Sequence, residues 1–479
     1  MRFSIVVFSL FICCISSNGQ VTDSLVLNYD SLTYSNFINE EWSELIDNST
    51  AAIETGYGTV GIRKRLGYSY FELKKYLQSI GVYESIYKQN KTDQDALVML
   101  YRSYSELGMK EEANYYLGII NSETKQQLKL REDHFMVGAD IHSGISLNDN
   151  FSKNKNKDIR QGGVYGEQSL NGELYYLQGG ILIAPKRWLN LYFSFQDVQM
   201  KKMECISATD LKLTGTVSDF FNGIKYERNL YALSDTTYRT NSFVNQRLGY
   251  IQGSFILPAL FTFRIYGNYL MNEYSVARSS YRFENYFAQP IDNSYSTKTV
   301  YSFTDSVQKK YEYIVGAVVE KRVGLFEINI GGTYSNLNSK IQAQSRAGFK
   351  WFPNGNTSIV TGGQLSYFYE EKLGRLLPEV FCTIRLLKNG WFTLSGMLGD
   401  LTNTSEYNGL VVHNSTDKTV YRISSSVYWN ILSHFNLTVA FHYSQKQSNF
   451  ITYPQADRYF LTETPYSAFL TAIGLTYTL

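Results

Sequence analysis

From residue 135 onward the chain alternates between two kinds of side chain, and that period of two restricts it more than any other feature. In the last segment Phe469, Thr471, Ile473, Leu475, Tyr477 and Leu479 share one parity, while Leu470, Ala472, Gly474, Thr476 and Thr478 share the other. Leu189, Leu191, Phe193 and Phe195 alternate with Asn190, Tyr192, Ser194 and Gln196. Phe435, Leu437, Val439, Phe441 and Tyr443 alternate with Asn436, Thr438, Ala440, His442 and Ser444. A strand repeats every two residues, so each segment presents one apolar face and one small or polar face. A soluble sandwich and a membrane barrel both satisfy this rule. The barrel is favoured because large apolar residues fill whole faces and because the connections alternate between short and long.

The composition agrees. Of 479 residues 18% are charged and 15% aromatic, with 40 Tyr and 29 Phe. Mean hydropathy is −0.25, and no apolar run of about 18 residues, the length of a membrane helix, occurs outside the N-terminus. A membrane strand needs only about 9–11 residues, and alternate ones face a polar lumen, so hydropathy stays low. Tyr and Trp suit the interfacial girdles. A net charge of +2 offers no basic surplus for nucleic acid.

The spacing predicts 14 strands over residues 134–479, an antiparallel transmembrane β-barrel. Tight connections fall at Pro185-Lys186-Arg187, Pro353-Asn354-Gly355-Asn356, Lys388-Asn389-Gly390 and Leu432-Ser433-His434, several with Asn-Gly or Pro turn chemistry. Segments 148–167, 204–243, 278–308, 402–418 and 453–466 read as long loops on the opposite side. An even count puts both barrel ends on one side of the membrane. The final strand resembles the C-terminal targeting strand of outer-membrane barrels, with Leu479 in the terminal position where an aromatic or apolar residue is common.

Residues 1–19 read as a secretory leader: Arg2, an apolar stretch from Phe3 to Ile15, then Ser17-Asn18-Gly19 before Gln20. Cys13 and Cys14 lack the small residues expected just upstream of a lipidated cysteine. Cys205 and Cys382 fall far apart in the expected topology, so no disulfide scaffold is predicted.

Residues 20–130 change to a period near 3.6. Leu66, Tyr70, Leu73, Ser79, Tyr83 and Ile86 recur 34 residues later as Leu100, Tyr104, Leu107, Ala113, Leu117 and Ile120. The first unit carries Leu66-Gly67-x-x-Tyr70 followed by Ser79 and Tyr83. The second carries Leu100-Tyr101-x-x-Tyr104 followed by Ala113 and Leu117. This resembles the tetratricopeptide repeat, with a capping unit around Trp42, Leu45 and Ile46. The resemblance implies stacked helix pairs with a concave peptide-binding face; a spacer that binds nothing is the other reading.

By parity Arg264, Glu312, Glu320, Glu327, Arg346, Lys350, Glu379, Arg385 and Arg422 face the lumen, because a cation at mid-membrane on the lipid face costs about 2–4 kcal/mol. They either line a water-filled pore or form a salt-bridged network that stiffens the wall. The five His show no metal spacing and no cofactor motif is present. His142-Ser143 and His442-x-Ser444 raise the chemistry of a barrel lipase, which needs a base beside a serine and a group orienting the base.

The whole chain resembles two-part outer-membrane proteins that join tetratricopeptide repeats to a C-terminal barrel, some of which export exopolysaccharide. In strand count it resembles outer-membrane fatty-acid transporters. The mixed-charge lumen and the repeat point to a pore or transporter in the outer membrane whose helices recruit a protein partner; the even strand count places those helices in the periplasm, and the barrel is in contact with lipid. The alternatives are a non-conducting structural or adhesion protein and a lipid-modifying enzyme.

Overall fold

The computed structural model describes residues 23–130, 135–221, 223–257, 261–289, 294–371, 373–432, 434–455 and 458–478. The expected leader and His134 lie outside them.

Seven helices come first: α1 (Asp23–Ile38), α2 (Trp42–Glu54), α3 (Val60–Glu72), α4 (Tyr76–Gln89), α5 (Gln94–Glu106), α6 (Lys110–Leu117) and α7 (Ser122–Gln127). Side-chain caps start three of them: Thr59 accepts from the Ile62 amide, Asp93 from Ala96 and Asn121 from Thr124. The α5–α6 pair begins 34 residues after the α3–α4 pair. Leu66, Gly67, Ser79, Tyr83, Leu100, Tyr104, Ala113 and Leu117 are buried where these helices meet, whereas Tyr70 is half-buried. Gly67 is required by close approach, since a Cβ there would lie 2.6 Å from the Tyr83 ring. That ring is fixed by its hydroxyl, which donates to the Lys64 carbonyl at 2.9 Å. At the front of the stack Leu45 is fully buried.

The barrel follows: β1 (Met136–Asn148), a short helix α8 (Asn150–Asn154), β2 (Tyr165–Lys186), β3 (Leu189–Phe221), β4 (Ile224–Leu257), β5 (Phe261–Gln289), β6 (Ser294–Val323), β7 (Phe326–Ser335), β8 (Gln342–Trp351), β9 (Ile359–Glu370), β10 (Leu373–Leu387), β11 (Gly390–Leu398), an inner hairpin of β12 (Thr404–Glu406) and β13 (Val411–His413), then β14 (Lys418–Leu432), β15 (Phe435–Gln455) and β16 (Arg458–Thr478). Fourteen antiparallel strands close into a ring in chain order. The seam joins β1 to β16 continuously from Gly138–Thr478 to Asn148–Ala468, which removes every free edge from the ring.

The outward face is apolar. Phe193, Phe195, Ile251, Ile265, Val319, Ile330, Phe349, Phe441 and Ile473 are all exposed, an arrangement that only lipid stabilises over a whole circumference. Aromatic pairs ring the short-turn end: Trp188 on Phe255, Phe326 on Trp351 and Phe435 on Tyr477, with centroids 5.0–6.3 Å apart. A second ring includes Tyr269 on Tyr311 and Tyr443 on Phe469. Along β16 the two rings, at Tyr477 and Phe469, are separated by about 27 Å at roughly 3.4 Å per residue. At a strand tilt of about 35–45° that is a height of about 19–22 Å, close to an apolar band of about 25 Å. No helix among the described residues is long and apolar enough to cross a membrane.

Three expected loops are strands. In segment 453–466, residues 453–455 and 458–466 belong to the ends of β15 and β16, which pair up to Gln455–Arg458. Segment 204–243 pairs continuously up to Phe221–Ile224, and 278–308 pairs from Ala277–Asp305 up to Gln289–Ser294. β3 and β4 therefore reach 33 and 34 residues and β5 and β6 reach 29 and 30, far beyond the length a membrane strand needs. Outside the membrane both faces meet water, so backbone pairing persists while the alternation that marks a lipid-facing strand disappears. Cys205 and Cys382 are both free.

Candidate functional site in the barrel lumen

The connection from β11 to β14, read from sequence as an external loop, folds into the lumen. Its turn residues suit this: Asn403, Tyr407 and Asn408 have φ of 61°, 48° and 59°, and Gly409 has φ of 82°, a region where Asn and Gly are least strained. A Cβ on Gly409 would lie 3.0 Å from the Tyr266 ring. The tip is held by the wall opposite its origin. Tyr250 Oη donates to the Asn408 carbonyl at 3.0 Å, Asn268 Nδ2 to the Gly409 carbonyl at 2.8 Å, and Asn408 Nδ2 to Gln252 Oε1 at 3.1 Å. Arg346 donates to the Asn408 side chain. The stem is anchored by Arg375 on Asp400 at 2.6 Å, Asn403 on Glu370 at 3.1 Å and Asn414 on Glu312 at 2.9 Å. Arg422 forks onto Glu406 with bonds of 2.8 and 2.9 Å, and His413 Nε2 lies 3.2 Å from the same carboxylate. Bidentate geometry of this kind fixes position as well as charge. The hairpin thus crosses the lumen from wall to wall.

Beside the hairpin lies a cavity of about 1270 Å³, bounded on the wall side by β1–β6 and β14–β16, with Glu370 of β9 and Arg375 of β10. Gln178, Gln196, Asn171, Asn272 and Asn449 supply amides, and Lys202, Lys310, Lys446, Arg375 and Arg422 supply cations.

Contacts across the barrel occur at both ends. At the long-hairpin end Tyr165 of β2 stacks on Tyr301 of β6 at 5.7 Å and meets Tyr453 of β15 edge-on at 5.6 Å. β2 also pairs directly with β15 from Gln168–Phe450 to Tyr165–Tyr453, so these walls converge over the mouth. At the short-turn end the helices lie across the opening. The Leu77 amide donates to the Gly355 carbonyl at 2.9 Å, and Asn356 Nδ2 to the Lys74 carbonyl at 2.8 Å. Lys110 Nζ donates to Thr478 Oγ1 at 3.1 Å. Arg264 pairs with Glu111 at 2.7 Å and also with Glu320. Arg322 pairs with Glu84 at 2.8 Å, donates to Tyr104 Oη at 2.7 Å, and lies over the Tyr104 ring. These strand ends are distributed around the ring, so the helices cover the mouth rather than lean on one edge. Phe352 and Val360 of the barrel join the helical core. Glu112 sits in this interface, where burial and the neighbouring Glu111 carboxylate push its pKa up to about 7.

The sequence-predicted inward residues occupy three levels. Arg264, Glu320, Glu327 and Lys350 lie toward the helices, with Lys350 on Glu327 at 2.7 Å. Glu312, Arg346 and Arg422 meet the hairpin or its stem, and Glu379 is half-buried near Glu406 and Arg422. Arg385 stands apart: it is exposed beside the β10–β11 turn, stacks on Trp391 at 5.1 Å and donates to the Lys388 carbonyl. It has the expected parity but lies so close to the strand end that it reaches the rim instead of the lumen. Sequence reasoning missed Glu84, Glu111, Glu406 and Asn408. Asn408-Gly409 followed by Val411-Val412 is a hairpin signal that would have marked the inner hairpin, though not its inward direction.

The serine–histidine pairings do not form. Ser143 is exposed on the outer face, opposite His142. His442 Nδ1 bonds Ser424 Oγ at 2.7 Å, not Ser444, and no carboxylate bonds its other nitrogen among the described residues. Those residues contain no cluster of metal-holding side chains.

No family model matches the chain, and no curated protein matches it. Solved structures with a similar strand layout include a Pseudomonas aeruginosa FadL homologue (8% identity, 72% of this chain and 91% of that one, TM-score 0.39). The Pseudomonas putida toluene transporter TodX aligns at 7% identity over 74% of this chain and 92% of its own, with a TM-score of 0.36. The translocator domain of the Neisseria meningitidis autotransporter NalP aligns at 7% identity over 79% and 99%, with a TM-score of 0.28. Scores in this range reflect barrel architecture and assign no role.

Proposed function

We propose that this protein is a gated transporter of the Gram-negative outer membrane. The observation that carries the reading is the inner hairpin: a specifically anchored segment crosses the lumen next to a polar cavity of about 1270 Å³. A wall needing only stiffness has no use for such a cavity, and an open pore has no use for the hairpin. The helices would face the periplasm, since they cover the short-turn end and short turns are periplasmic in such barrels. Their 34-residue helix pairs resemble tetratricopeptide repeats, and we assign them the docking of a periplasmic protein whose binding moves them off the mouth. Solute flux into proteoliposomes tests the reading. The full chain should pass small polar solutes slowly, and a variant with residues 401–415 replaced by a short Gly-Ser linker should pass them faster. Zero flux in both contradicts transport.

A second reading, a non-conducting structural barrel, is favoured by one observation: Arg264, Arg322, Lys350, Arg375 and Arg422 are each ion-paired. Absence of flux after both hairpin replacement and removal of the helices would select it.

A further inference from the structure

We infer that the lumenal cavity binds a small hydroxylated solute carrying an anionic group, a carboxylate or a phosphate. The inference names the ligand class of the site proposed above and rests on that site being a solute site.

The charge balance of the lining is uneven. Seven Lys and Arg side chains line the cavity against four Asp and Glu. Each of the four carboxylates is held by a cation of the lining: Glu204 by Lys202 at 2.5 Å, Glu370 by Lys340 at 2.9 Å, Asp400 by Arg375 at 2.6 Å, and Glu406 by Arg422 at 2.8 Å. Of the remaining cations Lys418 reaches out of the cavity to Glu463 at 3.6 Å. Lys310 and Lys446 then have no carboxylate within ion-pair distance among the described residues.

Two acids act on those lysines through space, and both already accept hydrogen bonds. Asp417, which acts on Lys446 through space, accepts from Tyr466 Oη at 2.6 Å and from Asn171 Nδ2 at 2.9 Å. Glu312, two residues from Lys310, accepts from the Asn338 amide at 2.5 Å, from Asn272 at 2.5 Å and from Asn414 at 2.9 Å. Lys310 also shares the Tyr274 ring with Lys202, their nitrogens lying 5.7 and 5.2 Å from its centroid. Two like charges on one ring, only one of them neutralised by a carboxylate, leave a positive site facing the cavity. Both lysines are half-buried and line the cavity. Burying a cation without a partner is costly, and an anionic solute supplies the missing charge. The amides and hydroxyls of the wall are suited to sugar-like hydroxyls. The cavity exceeds the roughly 300–1,000 Å³ of ordinary small-ligand pockets, so such a solute fits with its water.

Calorimetric titration of the full chain in detergent provides the test, with glucuronate and glucose 6-phosphate as probes and glucose as the uncharged control. At least one anionic probe should bind about tenfold or more tighter than glucose, the worth of one hydrogen bond to a charged group. Which one binds separates carboxylate from phosphate. Lys310→Gln with Lys446→Gln should abolish the preference, and Lys310→Arg with Lys446→Arg should retain it. Heat-modifiable migration on gels verifies that each variant is a folded barrel. The inference is overturned by equal or tighter binding of glucose, by no binding of any probe, or by a preference that survives the glutamine pair. Binding with the anionic preference but no flux in proteoliposomes would contradict the transport reading and leave this one standing.

Discussion

Single residues carry the closure of the short-turn end. Arg264 joins Glu111 of the helices to Glu320 of the wall, and removing a buried partner leaves the others uncompensated. Arg264→Ala should cost about 3–5 kcal/mol, read as loss of hydrogen-exchange protection in α6 while the strands stay protected. Arg264→Lys should restore part of it. Glu112 makes the same interface pH-sensitive. Its folded pKa of about 7 lies above its ordinary value of 4.5. The interface is therefore most stable below pH 4.5 and weakens as pH rises toward 7, because only the released state ionises freely in that window. The full effect is on the order of 3 kcal/mol. Exchange in α6 should accelerate between pH 4.5 and 7, and Glu112→Gln should flatten that dependence.

At the scale of elements, legibility followed the solvent. The 14 barrel strands were readable because lipid on one side and a polar lumen on the other print a period of two. The helical pairs were readable because Leu66, Tyr83, Leu100, Tyr104 and their neighbours pack at repeating positions. Gly67→Val should destabilise the helical region by about 1–3 kcal/mol, since its side chain would meet the Tyr83 ring; thermal melts of the full chain should show loss of helical signal before the barrel transition. The outer parts of β3–β6, β15 and β16 were hidden, as water on both faces erases the alternation. The hairpin was hidden for a different reason. Its anchors, Tyr250, Asn268 and Arg346, lie far away in sequence, and nothing local to Tyr407-Asn408-Gly409 tells inward from outward. Ion-pair partners such as Glu84 and Glu111 were equally invisible, because their arginines, Arg322 and Arg264, lie far away in sequence on barrel strands.

For the whole molecule the structure combines a lipid-facing barrel with three obstructions: helices across the short-turn end, the inner hairpin at mid-lumen, and the Tyr165 cluster at the opposite mouth. In the proposed transporter the hairpin is the central gate. Single-channel conductance in planar bilayers tests it most directly. The full chain should show rare, brief openings, and the variant lacking residues 401–415 should show longer openings with the helices present and stable conductance once they are removed. A replaced hairpin that leaves the barrel as silent as the full chain, even with the helices removed, would contradict it.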